Sequence, residues 1–449
     1  MRNDSSANRR HAGALCTHPA STVVLLVFLA FGAWAGEKQR MNSGQRDGVE
    51  QFVKLTRREL EGFYYVPGFH GVDLKARSKE AIDRIEKAES LSDAYGIIAW
   101  MLEPLNDSHT FFLPPPRPYD VDNGWELAAV GEKCYIIAVE PGSDAAVQRV
   151  KPGDELLSLE GYTVTRNNLW KLRYAFEGLT LRSATKMTLR SPEGTTRTLL
   201  VNAKVEKIEK QLDPFGSPEY FREKRRGRPS EPRVVLRGDD LMIWKLPRFS
   251  LNTDEIDKSL RKAHRYPKLI LDLRGNPGGA ETAVSRLIGS MFGKEIIVAE
   301  RVTRRQRKPW TVKSRGDDDT FFGKLLVLID GESASAAEIF ARVVQIEKRG
   351  MIVGDRSAGK VREARQEFYF TGRSETFYAG LSVTVADILM TDGKSLEDVG
   401  VLPDIVVLPT ANDLSVGRDP VLQRAAAELG VSITSEEAGK LLPPVWPTN

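Results

Sequence analysis

The chain has 449 residues, 41% of them hydrophobic and 28% charged, with a net charge of +4. That composition is ordinary for a soluble protein of two or three domains. So small a charge excess gives no reason to expect nucleic acid as a partner, and two cysteines exclude a disulfide-built scaffold.

Arg2, Arg9 and Arg10 precede an apolar run from Val23 to Trp34, and Ala33-Trp34-Ala35 has the small-x-small pattern of a cleavage site before Gly36. Residues 1–35 therefore read as a signal peptide, and the protein as exported, periplasmic or extracellular. The alternative is an uncleaved membrane anchor over 21–35, although the run is short for a bilayer span. Cleavage removes Cys16. Cys134, in the strand-like run Cys134–Val139, then reads as a small core residue.

Residues 36–118 form an expected helical domain, with Phe52, Leu55, Leu60 and Phe63, then Ile82, Ile85, Ile97, Ile98 and Met101, at three- and four-residue steps. It ends in Asn106-Asp107-Ser108-His109 and the prolines 114–116, which stop any helix. His109 is either a turn residue or a base. Residues 119–205 are predicted as a compact β-rich binding module with one helix over Asn168–Phe176. A polar linker follows at 206–232; its basic run Lys224–Pro229 lacks stacking aromatics, so it does not read as a nucleic-acid patch. From Val234 strands alternate with helices, which predicts an α/β core on a mostly parallel sheet over 206–410. The basic stretch 301–315 reads as a solvated face or strand edge, and 411–449 as a helical extension.

Leu325–Ile329 is an apolar run that turns through Asp330-Gly331 into Ser333-Ala334-Ser335-Ala336 and a helical pattern. A serine at such a junction either caps the helix or is poised as a nucleophile beside unpaired N–H groups. Asp272-Leu273-Arg274-Gly275-Asn276-Pro277-Gly278-Gly279 lies at another strand exit. It matches neither dinucleotide nor P-loop spacing, but it suits backbone donors for an oxyanion. Lys360, after Gly359, is either solvated or, if buried, a base with a lowered pKa. No metal-ligand spacing is present, so no metal and no cofactor is expected.

Together these stretches resemble the C-terminal processing (tail-specific) protease family over about residues 47–425. Asp272–Gly279 is similar to its glycine motif, Ser333–Glu338 to its nucleophile motif, and Gly359-Lys360 to its base motif, 25 residues beyond Ser335. Asp392–Asp404 is similar to the motif that closes its catalytic domain. Val150–Gly161 is similar to its PDZ domain. The resemblance implies a crotonase/ClpP-like core and a serine endopeptidase acting on unstructured or C-terminal polypeptide. Ser335 is the implied nucleophile and Lys360 the general base; Gly279 and Ala336, with Gly278 as the weaker candidate, form the implied oxyanion hole.

The chain also departs from that pattern. Ala364 stands where some members have glutamine, with Gln366 two residues on, and Ile346 stands where others have aspartate. His109 and Glu397 resemble the relay of tricorn-type proteases, which gives an alternative triad Ser335–His109–Glu397. In the PDZ-like module the peptide-binding loop maps to Gly124-Trp125-Glu126-Leu127, where the Glu126 charge would repel a terminal carboxylate. A non-catalytic binding protein with the same fold is the reading from another class. The sequence leaves the oligomeric state open.

Overall fold

The computed structural model describes residues 40–443 apart from 118, 181, 208–231 and 251. The expected signal segment and most of the expected linker lie outside the described residues. Helices α1 (Ser43–Phe63), α2 (Leu74–Ile85) and α3 (Leu91–Leu102) lead the described chain. The first begins on a reciprocal cap: Asn42 accepts the Gln45 N–H at 2.8 Å, and the Gln45 side chain accepts the Asn42 N–H at 3.2 Å. Its stripe of Val49, Phe52, Val53 and Leu60 is wholly buried. Strand β1 (Phe111–Leu113) follows.

The β-rich module comes next, with β2 (Tyr119–Asp122), β3 (Trp125–Val130), β4 (Lys133–Val139), α4 (Asp144–Val147), β5 (Glu155–Leu159) and β6 (Tyr162–Thr163). It continues through α5 (Leu169–Arg173), β7 (Ala184–Arg190), β8 (Thr196–Asn202) and β9 (Lys204–Lys207). An antiparallel sheet runs β3-β4-β5-β7-β8, and β2 pairs with β9 where the chain enters and leaves. The single helix expected over Asn168–Phe176 is instead split: α5 stops at Arg173, and Tyr174–Leu179 form a wider π-type turn.

The remaining elements are β10 (Arg233–Arg237), β11 (Leu241–Lys245), α6 (Asp254–Ala263), β12 (Lys268–Asp272), α7 (Glu281–Gly289), β13 (Ile296–Thr303) and β14 (Arg307–Val312). After them come β15 (Lys324–Ile329), α8 (Ala336–Ile346), β16 (Gly350–Gly354), β17 (Arg362–Thr371), β18 (Phe377–Met390) and β19 (Ile405–Val406). Helices α9 (Ala411–Ser415), α10 (Pro420–Glu428) and α11 (Ser435–Leu441) close the described chain.

The central sheet has the order β10-β11-β12-β15-β16-β19, parallel except at β10. Alternate side chains sort to its two faces. Met242, Trp244 and Leu271 pack with residues of α6, α7 and α8, while Ile243, Ile270 and Leu328 pack under Leu422, Ala425 and Ala438 of the C-terminal helices. That double cover explains the continuous apolar runs of its strands. A second sheet, antiparallel throughout, joins β1, β17, β13 and β14 around β18. The basic stretch 301–315 lies largely in its β13–β14 hairpin, with Trp310 and Val312 turned inward. Strand β18 serves two cores: Phe377, Ala379 and Leu381 pack with the N-terminal helices, and Ile388 and Met390 with the main core.

Candidate active site

The neighbouring parallel strands β12, β15 and β16 end on one edge of the central sheet, and each delivers a loop there. Carboxyl ends of parallel strands are the usual place for ligands in such sheets.

The loop after β15 is pinned by Ser333, which is fully buried. Its hydroxyl accepts the Asp330 N–H at 2.9 Å and donates to the Leu273 carbonyl at 2.9 Å. Ser335 caps α8 with φ +55° and ψ −118°. A non-glycine residue there carries strain of about 1–3 kcal/mol, held by what surrounds it. The Ser335 N–H donates to the Lys360 carbonyl at 3.0 Å and to the Glu338 carboxylate at 3.0 Å. The N–H of Ala336, first in the helix, has no acceptor among the described residues.

The glycine loop is ordered by buried Asn276. Its amide donates to the Leu246 carbonyl at 2.9 Å, and its oxygen accepts the Gly278 N–H at 2.8 Å. Gly278 is therefore spent as a donor. The Gly279 N–H has no acceptor among the described residues, because the bridge to Phe249 uses the Gly278 carbonyl and the Ala280 N–H. Both glycines are needed. A Cβ at Gly278 would meet the Ser335 Cβ at 2.6 Å, and one at Gly279 would meet the Phe249 carbonyl oxygen at 2.0 Å.

Glu338 joins the serine and lysine loops. Besides the Ser335 N–H, its wholly buried carboxylate accepts the Ser357 hydroxyl at 2.5 Å and the N–H groups of Gly359 and Lys360 at 2.8 and 2.9 Å. Burial nevertheless outweighs these bonds and pushes its pKa up to about 7. The Lys360 ammonium lies 4.8 Å from the centre of the Trp170 ring on α5 of the module.

His109 is held from β18: Ser382 donates to its carbonyl at 2.6 Å, and its N–H donates to Asp107 at 2.9 Å. Its Nδ1 lies 2.8 Å from the Ser108 hydroxyl. The buried Glu397 carboxylate accepts backbone N–H groups of Ser108 at 3.2 Å and Val361 at 2.8 Å, with Arg362 Nε at 3.4 Å. Burial raises the pKa of both Asp107 and Glu397, against the hydrogen bonds to the one and the Arg362 charge beside the other.

One cleft of about 1680 Å³ is lined by Ser335, Lys360, His109, Gly278 and Gly279; Glu397 is not on its lining but accepts the N–H of Ser108, which is. The cleft is larger than a pocket for a small ligand. Trp125, Glu126 and Leu127 of edge strand β3 also face it. Gly124 is not on its lining; its φ of +69° makes the turn into β3 against Ser143. Sequence reasoning missed the ties between module and core. Arg173 pairs with Glu332 at 2.8 Å, and Arg166 pairs with Asp355 at 2.8 Å and reaches the Ser357 carbonyl at 3.3 Å. Single arginines in a polar context carry no signal in one sequence. Glu338 could have been found, as the third residue after the N-cap Ser335.

Residues 241–407, which span all three loops, match the family model described as Peptidase family S41. The carboxyl-terminal-processing protease of Picosynechococcus sp. is 25% identical over 349 residues, covering 70% of this chain and 73% of that one. The tail-specific protease of Haemophilus influenzae is 27% identical over 323 residues, covering 67% of this chain but only 43% of the relative. Among solved structures, mature CPAF superposes with a TM-score of 0.61 at 16% identity, covering 82% of this chain and 94% of the other, which shows a shared mixed α/β fold. With its three site loops inside the matched region, the chain is a serine-type peptidase.

Proposed function

We propose that the protein is an exported serine endopeptidase of the C-terminal processing type, hydrolysing peptide bonds in unstructured or C-terminal polypeptide segments. One observation carries the reading: Ser335 is held at positive φ on the head of α8 and against Gly278 of the glycine loop, and the N–H groups of Ala336 and Gly279 have no acceptor among the described residues. The Ser335 oxygen attacks the scissile carbonyl carbon and its proton passes to Lys360. The carbonyl oxygen gains charge against the Gly279 and Ala336 N–H groups. The amine then leaves with a proton, and water releases the acyl group by the same route. The bond from the Ser335 N–H to the Lys360 carbonyl supports Lys360 as the base.

A second route uses His109 with Glu397; His109 faces the same cleft, and Glu397 holds the Ser108 backbone beside it. The crotonase/ClpP-like description of the core and the PDZ description of residues 119–205 belong to the same proposal. Edge strand β3 along the cleft supports a role for that module in recruiting or gating polypeptide. No helix among the described residues is long and apolar enough to cross a membrane, and export rests on the pattern of residues 1–35.

The test is hydrolysis of casein by the mature protein and by Ser335→Ala, Lys360→Ala and His109→Ala variants. Activity lost in the first two and kept in the third is the expected pattern. Activity kept in Lys360→Ala and lost in His109→Ala moves the proton to His109, and activity kept in Ser335→Ala ends the mechanism. Equal cleavage of one peptide with free and amidated C-termini would exclude tail recognition.

A further inference from the structure

The glycine loop is tied to the C-terminal helices by a two-carboxylate clamp on Arg274. On its own strand Asp272 accepts the Arg274 backbone N–H at 2.9 Å, Nε at 3.0 Å and Nη2 at 2.8 Å. From the opposite side Asp419 accepts Nη1 at 2.9 Å and Nη2 at 2.8 Å. Asp419 is also the N-cap of α10, accepting the Leu422 N–H at 2.9 Å, and its own N–H donates to the Ser435 carbonyl at 2.9 Å at the head of α11. Beyond Arg274, the Gly275 N–H donates to Asp330 of the serine loop at 2.8 Å, and Asn276 sets Gly278 and Gly279.

We infer that Asp419 is a positioning residue for the oxyanion donor Gly279, so that the C-terminal helix pair forms part of the catalytic unit. The inference rests on the peptidase mechanism proposed above. Gly275, Gly278 and Gly279 all stand at positive φ, +69°, +94° and +140°, and such a segment has little conformational preference of its own. Its geometry is therefore imposed by anchors. Asp272 can hold Arg274 only against the strand from which the loop departs, whereas Asp419 holds the outer edge of the guanidinium from a different layer. Bidentate pairing fixes the orientation of the plane as well as its distance.

The experiment uses the full mature chain with Asp419→Asn and Asp419→Ser. Both residues cap helices as well as aspartate does, so the cap survives while the paired anion is lost. The readouts are kcat and KM on an unstructured peptide, and the affinities for a peptide aldehyde and for an inert product peptide. The aldehyde accepts the Ser335 oxygen at its carbonyl carbon and leaves its own oxygen among the donors. The expected result is a fall in kcat of about tenfold to a hundredfold, less than the loss of a whole oxyanion donor. Aldehyde affinity falls by a similar factor and Tm falls with the lost ion pair, while KM and product affinity change little. Unchanged kcat in both variants overturns the inference. So does a fall in kcat accompanied by an equal loss of product binding, which marks a merely structural role. Ser335→Ala run alongside separates the two claims: a dead Ser335→Ala with fully active Asp419 variants removes only this inference, and an active Ser335→Ala removes the mechanism beneath it.

Discussion

The α-carbon of Gly278 is pressed so closely against Ser335 that a side chain added there would meet the Ser335 Cβ at 2.6 Å and the Ala334 carbonyl oxygen at 2.9 Å. The glycine loop and the serine loop are thus in backbone contact, and the smallest substitution must part them. Gly278→Ala is expected to lower kcat/KM at least about a hundredfold, the scale of a lost oxyanion donor. Gly161→Ala is the control. It stands at φ +85° with nothing within 4 Å of the added carbon, so it pays only backbone strain of about 1–2 kcal/mol and keeps its activity. Equal kinetics in the two variants would remove the argument from contact.

Glu338 makes stability depend on pH in a direction opposite to that of salt-bridged carboxylates. Its folded pKa is about 7 against an ordinary 4.5, so between those values the folded state holds a proton that the unfolded state has released. The stability contributed by the protonated form is complete below about 4.5 and is lost as pH rises through about 7. Glu338→Gln is expected to abolish that slope. It also sets an amide N–H against backbone donors, a cost of about 1–3 kcal/mol, and displaces Ser335 and Lys360. The wild-type advantage in urea midpoint should therefore be largest near pH 4.5 and shrink toward pH 7. A constant difference across that range would contradict the assignment.

The Trp170 ring lies 4.8 Å from the Lys360 ammonium and limits where the side chain of the proposed base can go. A cation–π contact of this kind is worth about 0.5–1 kcal/mol or more. Trp170→Ala is expected to lower kcat on a short unstructured peptide by about two- to fivefold with KM little changed. Unchanged kcat would show that the ring does not orient the lysine.

Arg166 makes a largely buried tie between the module and the core, with side-chain exposures of 7% for Arg166 and 11% for Asp355. Its truncation strands a carboxylate that otherwise holds the Gly131 N–H as well. Arg166→Ala should cost about 3–5 kcal/mol and loosen the module before the core unfolds, visible as hydrogen exchange rising first in β3 and β4. A single transition with unchanged exchange there would mean that other contacts fix the module.

The elements that could be read in advance were those whose pattern is set by burial alone. Leu269–Leu273 and Leu325–Ile329 are covered on both faces, so their apolar runs announce strands and their exits announce loops. The antiparallel sheet was illegible for the converse reason. Strand β17 begins Arg362-Glu363-Ala364-Arg365 with no fully buried residue before Thr371, and its order comes from pairing with β18. Gly278 and Gly279 of the candidate site were legible because their backbone demands glycine, and Ser335 and Lys360 were singled out because each lies in the loop after a strand. Asp419 and Trp170 were not, since each acts on a site residue far away in the chain, and one sequence holds no record of that proximity.

Strand β18 gives the triple proline at 114–116 a different meaning from a seam between separable parts. Just before those prolines, β1 zips Phe111–Leu113 onto Ser382, Leu381 and Gly380, and the apolar half of β18 completes the core of the N-terminal helices. A fragment starting at residue 119 would lose the turn that carries His109 and uncover Phe377, Ala379 and Leu381, leaving a sticky ribbon beside the cleft. Any minimal enzyme made from this chain must therefore keep its N-terminal helices, and a protease that nicks it after Leu113 should leave two pieces that stay together until denatured.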